Sequence, residues 1–148
     1  MNALTIADAL ATKYASGTLT PPTGYGAVRV STSRLPNAIP TSPWVLVMLP
    51  KGNLVLGSGE LNHSMEFHVI FHYAKSTGDV ARDMTGMLSW IGVLIAATWT
   101  DMDLGVSGIR KAYPTDYELV VATYGGEEFY GWDLTVTVDF RESVSFSS

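Results

Sequence analysis

The sequence contains no cysteine. Disulfide scaffolds, thiolate zinc sites and cysteine nucleophiles are therefore excluded. Charge is also scarce: 16% of the 148 residues are Asp, Glu, Lys or Arg, where soluble domains average about 25%. Mean hydropathy is positive, +0.18, yet no long hydrophobic run accounts for it. The longest apolar stretch, Met84 to Trp99, is interrupted by Thr85, Gly86, Ser89 and Thr98. It falls short of the roughly 18–20 apolar residues that span a bilayer. The N-terminal segment carries Asp8 and lacks a basic start followed by an apolar run, so neither a membrane span nor a signal peptide is expected.

What is present is hydrophobic: 47% of the residues, including 4 Trp and 7 Tyr. That content excludes a disordered chain, and the length suits a single domain over 1–148 with one core. A chain this poor in charge must either hide surface in an oligomer or coat itself with neutral Ser, Thr and Gly. The few charges are unevenly spread. Residues 1–74 carry four basic and three acidic side chains, and residues 75–148 carry five basic and eleven acidic ones. A basic footprint for gripping nucleic acid is absent, and an acidic surface repels DNA.

Along the chain, Ile6, Leu10 and Tyr14 recur every fourth residue beside Ala3, Ala7 and Ala11, which predicts a helix over 2–16 stopped at Gly17. Pro21 and Pro22 open a connector, Val28 to Ser31 suits a short strand, and Pro36, Pro40 and Pro43 keep the following stretch extended. Trp44 to Leu49 does not alternate and reads as a strand buried on both faces. Pro50 to Asn53 reads as a turn and Leu54-Val55-Leu56 as the strand of a hairpin arm. Residues 63–73 alternate, with Met65, Phe67, Val69, Phe71 and Tyr73 on one face and Glu66, His68, Ile70 and His72 on the other. Ser76-Thr77-Gly78-Asp79 offers N-capping residues before a long helix. Its face comprises Val80, Met84, Met87, Leu88, Ile91, Leu94, Ile95 and Thr98. Trp90 and Val93 add apolar surface on other sides, so the helix should be buried on most sides. Strands are then expected at 106–113, 117–124 and 129–141, the last alternating from Tyr130 to Phe140. The order predicts an α+β fold: a mostly antiparallel sheet flanked by a short N-terminal helix and one long helix, with a projecting β-hairpin arm.

Catalytic and ligand motifs are not apparent. His68 and His72 are four apart on a strand, about 13 Å, too far for one metal ion. His68 and Glu66 share a face and could in principle share a metal, but polar side chains on a wetter face are the favoured reading. His63 stands beside a loop. Asp101 and Asp103 lack the remaining ligands of a calcium loop. Gly57-Ser58-Gly59 is not a nucleophile elbow, Gly24-Tyr25-Gly26 lacks a third glycine for a dinucleotide, and Glu127 and Glu128 point apart. No cofactor, metal or catalytic residue is expected, and an enzyme is not. Apolar side chains in the arm and in the aromatic run, together with the spare helix faces, instead suggest subunit or partner contacts. The candidates are Leu54, Val55, Leu56, Trp90, Val93, Tyr124, Phe129 and Tyr130.

Over residues 1–141 this layout resembles the tail terminators of long-tailed bacteriophages, small neck proteins that cap the tail tube. The resemblance is carried by the short first helix, the proline-rich stretch Pro36 to Pro43, the strand with its arm Trp44 to Gly59, the strand–helix pair His63 to Trp99 and the alternating strand Phe129 to Arg141. It implies a homo-oligomer, a hexameric ring, with one face on the major tail tube protein and the other on the head connector or stopper. DNA would pass through the lumen without sequence-specific binding, and no membrane would be involved. The protein would reside in the virion neck, and in the host cytoplasm during assembly. Other connector or tail-completion proteins share parts of this layout. A small-molecule binding module with an apolar pocket is the alternative of a different class.

Overall fold

The computed structural model describes residues 3–56, 60–75, 79–100, 103–124 and 126–143, without the side chains at 50, 53–56, 60–61, 63, 75, 80, 122, 124 and 142–143. The elements are α1 (Ala3–Lys13), β1 (Val30–Thr32), β2 (Trp44–Leu56), β3 (Glu60–Lys75), α2 (Val80–Trp99), β4 (Ile109–Tyr124) and β5 (Glu127–Ser143). The strands form one five-stranded sheet in the order β1-β2-β3-β5-β4. Among the described residues the β1–β2 pair is parallel, and β2–β3, β3–β5 and β4–β5 are antiparallel. The fold is α+β, as the order of patterned segments predicts.

Alternation assigns the two faces. Directly opposed residues share a face, and the register sets Val45 against Phe71, Val47 against Val69, and Phe67, Val69 and Phe71 against Val136, Leu134 and Trp132. These side chains are buried and join Ile6, Leu10 and Tyr14 of α1 and Met87, Trp90 and Leu94 of α2 in one core. Both helices therefore lie on one face of the sheet. Their C-terminal ends are tied together: Tyr14 and Thr98 share a buried hydroxyl–hydroxyl hydrogen bond of 2.6 Å. Lys13, nine-tenths buried, donates to the Ala97 carbonyl at 3.4 Å, placing a cation at the negative end of the α2 dipole. The α2 N-terminus is capped by Asp79, whose carboxylate accepts from the Arg82 amide at 3.1 Å.

Two expected breaks are strands. Pro50 to Asn53 belongs to a continuous β2, and a register shift between Met48 and Lys51 takes up the irregularity. Residues 109–124 form one strand, with Pro114 accommodated at a shift between Pro114 and Asp116. Both strands place proline at a bulge or an edge, where a missing amide costs no ladder bond. The far half of the β2–β3 hairpin does not stand alone, because β5 pairs along β3 out to Glu60 and Ser143.

Trp44 to Leu49 is buried only in part. Trp44 to Val47 are buried, whereas Met48 and Leu49 are 44% and 41% exposed. The helix α2 likewise leaves Met84, Leu88 and Trp99 in solvent. These departures define the candidate surfaces.

Candidate interaction surfaces

Both edges of the sheet are apolar, and they are built differently. At one edge, β1 pairs with β2 only from Trp44 to Leu46. Past that point, among the described residues, no strand covers the outer side of β2. A groove of about 580 Å3 runs there, lined on the helix side by Ala3, Leu4 and Ala7 and across the strand by Leu35, Met48 and Leu49. Leu4 and Leu35 are exposed along with Met48 and Leu49. Arg34 and Lys51 mark the basic ends of this edge.

At the other edge lies β4, which pairs with β5 on one side and, among the described residues, with no strand on the other. Tyr117, Leu119 and Val121 oppose Leu134, Trp132 and Tyr130 and so share the helix-side face. They nevertheless remain 53%, 40% and 53% exposed, because α2 does not reach over them. Leu119 borders Met84 and Met87 of α2 across a shallow cleft shared with Tyr130 and Asp83, and Leu88 is exposed one turn further along the helix. The alternate positions Asp116 and Glu118 fall on the opposite face, where they oppose Thr135 and Asp133.

The residues singled out from sequence distribute unevenly. Trp90 is 1% exposed; its ring lies 4.8 Å from that of Phe71, inside the chain's own core. It shares a helix phase with Met87 and Leu94, three before and four after, and therefore faces the sheet. Val93 packs partly against the same core, and Phe129 is buried. Tyr130 lines the cleft beside Leu119. Leu54, Val55 and Leu56 lie on β2 and Tyr124 on β4, with their side chains outside the described residues. The surface of α2 is thus formed by Met84 and Leu88 rather than Trp90 and Val93. Tyr117, Leu119 and Val121 are not among the candidates read from the sequence, where they alternate as inward-facing strand residues do.

On the face away from the helices, His68 bridges β3 and β5. Its Nδ1 lies 2.8 Å and 2.9 Å from the two Asp133 carboxylate oxygens, and its Nε2 lies 3.9 Å from Glu66, which also pairs with Lys51 at 3.0 Å. Among the described residues no group of three or more His, Asp or Glu side chains is placed to hold a metal ion. The arrangement joins strands, and both acids are already engaged. Further along this face, Trp44 stacks on His72, and its indole N–H is buried with no acceptor among the described residues. No described helix is long and apolar enough to cross a membrane.

Among known proteins, no family model matches the chain and no curated protein matches it in sequence.

Proposed function

We propose that the chain is a structural subunit of a ring in the neck of a long-tailed bacteriophage, the tail terminator that caps the tail tube and presents the head-joining surface. One observation carries the reading: exposed apolar side chains gather at opposite ends of one sheet, on two unlike edges. Unlike patches on one subunit support heterologous contact, the kind that closes a cyclic ring, whereas an isologous dimer uses one patch twice. The order of elements that resembles tail terminators supports the same reading, as does the scarcity of charge. The acidic second half suits a conduit that lets DNA pass.

A small-molecule carrier is less well supported. Trp90, Phe67, Phe71, Met87 and Leu94 fill the space between sheet and α2. The apolar cleft beside Leu119 has a volume of only about 60 Å3, and the larger groove of about 580 Å3 along β2 is an open furrow on the surface rather than the enclosing pocket of a ligand site. The test is to mix the purified chain with tail tubes and image them by electron microscopy. Capped tubes of fixed length carrying a terminal ring are expected. A chain that leaves tube ends bare and growing overturns the assignment.

A further inference from the structure

We propose that the β4 edge of one copy adds antiparallel to the uncovered length of β2 on a second copy, so that sheet and helix layer both run on from subunit to subunit. The proposal rests on the self-association put forward above and names the surfaces that perform it.

The backbone supplies the first argument. An edge strand presents a row of unpaired amides and carbonyls, a template for another strand. Beyond Leu46 no described strand pairs with the outer side of β2, and only the short segment Ser33 to Leu35 lies beside Met48 and Leu49 across an open groove. The matching strand is β4, which pairs with no strand on its outer side among the described residues. Directions agree: β2 is antiparallel to β3, β3 to β5 and β5 to β4. Three reversals leave β4 antiparallel to β2, so a second copy in the same orientation meets the first in an antiparallel ladder.

The side chains supply the second. In that ladder, helix-side faces stay on one side. Tyr117, Leu119 and Val121 come against Leu49 and the Leu4 flank of α1, and Met84 and Leu88 of α2 extend the same apolar seam. On the other face, antiparallel travel from Leu119 back to Asp116 runs with travel from Leu49 forward to Lys51. Asp116 and Glu118 of one copy are thereby carried towards Lys51 of the next, while Arg110 and Lys111 fall beyond it towards the hairpin end. Opposite charges meet at the rim of an apolar contact, which fixes register and partner choice. Pro114 with its adjoining shift on β4, and Pro50 with the shift between Met48 and Lys51 on β2, each interrupt the ladder, so backbone pairing is short and the apolar seam carries most of the contact.

The absence of cysteine makes the contact measurable. The double variant Met48→Cys/Glu118→Cys, treated with a short bismaleimide that tolerates imprecise register, should give a ladder of covalent multimers. Met48→Cys and Glu118→Cys alone should give none, because head-to-tail pairing never brings like edges together. Leu119→Asp/Val121→Asp, at positions already half exposed and checked for folding by circular dichroism, should weaken association about tenfold or more in light scattering. Cross-linking of either single variant shows like-edge pairing and overturns the proposal. Wild-type oligomers whose mass the double aspartate leaves unchanged, and which the double cysteine does not cross-link, overturn the edge pairing while leaving a ring in place. A wild-type chain that is monomeric at the highest soluble concentration overturns both together.

Discussion

The indole of Trp44 lies flat on the imidazole of His72, with ring centroids 3.8 Å apart and planes 3° from parallel. The pair occupies the face of the sheet opposite the helices, where a groove lined by Leu35, Pro36 and Ile39 adjoins Trp44. His72 is 2% exposed, and its Nδ1 lies 3.3 Å from the Trp44 carbonyl, where an Nδ1–H donates. Burial holds its pKa below the ordinary 6.5, outweighing the backbone hydrogen bonds that pull the other way. The folded chain therefore keeps His72 neutral where an unfolded chain takes up a proton. Its contribution is complete above about pH 6.5 and is lost as pH falls towards the folded-state value. His72→Phe keeps a flat ring on Trp44 and removes the proton. Urea unfolding at about pH 7.5 and about pH 5.5 should show a smaller acid loss in the variant than in the wild type. Equal losses would show that His72 does not contribute.

The alkaline side has its own reporter. Tyr14 is fully buried against Thr98, and desolvation holds its phenol far above the ordinary 10, more than the Thr98 hydrogen bond lowers it. An unfolded tyrosine ionises first, so this contribution is present below pH 10 and is lost as pH rises beyond it. Tyr14→Phe should cost about 1 kcal/mol at neutral pH through the lost hydrogen bond. Thr98 retains its bond to the Leu94 carbonyl, which keeps the cost small. The variant should also lose less stability than the wild type in unfolding titrations carried above pH 10.

Two glycines separate space from conformation. A Cβ on Gly131 would run into the Phe71 carbonyl, where the β3–β5 register shifts between His72 and Ala74 and the backbones crowd. Neither backbone can yield without breaking ladder bonds, so Gly131→Ala should cost about 1–3 kcal/mol or more. Gly92 is exposed in mid-α2 with open space around it. There Gly92→Ala should stabilise by about 0.5–1 kcal/mol, by limiting the unfolded chain and favouring helix. Denaturant midpoints of both variants at one protein concentration decide it, and a stabilised Gly131→Ala would refute the crowding account.

The sequence carried the core more fully than the surface. Alternation along 63–73 and 129–141 assigned both strands and their inward faces, because burying one face of a strand leaves a period of two in its side chains. The same logic faltered at Pro50 and Pro114. A proline marks a turn where the chain needs its amide, but at a bulge or an edge the strand simply continues. Trp90 shows the other limit. Its place outside the main apolar face suggested contact with a partner, yet only the packing of α2 on Phe71 shows which side of an apolar helix is spare. Tyr117, Leu119 and Val121 alternate just as inward-facing residues do. Their exposure follows from where α2 ends its cover, a tertiary fact no local pattern holds.

That cover depends on where α2 begins. Asp79 sits at the N-cap in an extended conformation, and its carboxylate accepts from the Arg82 amide, one of the helix's unsatisfied donors. A negative charge there also opposes the positive end of the dipole. Asp79→Ala removes both and should cost about 1 kcal/mol, while Asp79→Ser keeps the acceptor and should recover most of it. Because Met84 and Asp83 lie in the first turns of α2 and line the cleft with Leu119, fraying from an uncapped start would loosen that seam before it reached Trp90. Hydrogen exchange should therefore speed up first at the amides of 82–86 in Asp79→Ala, with the amides around Leu94 unchanged. Uniform acceleration along α2 would mean that the cap holds the whole helix rather than its first turns.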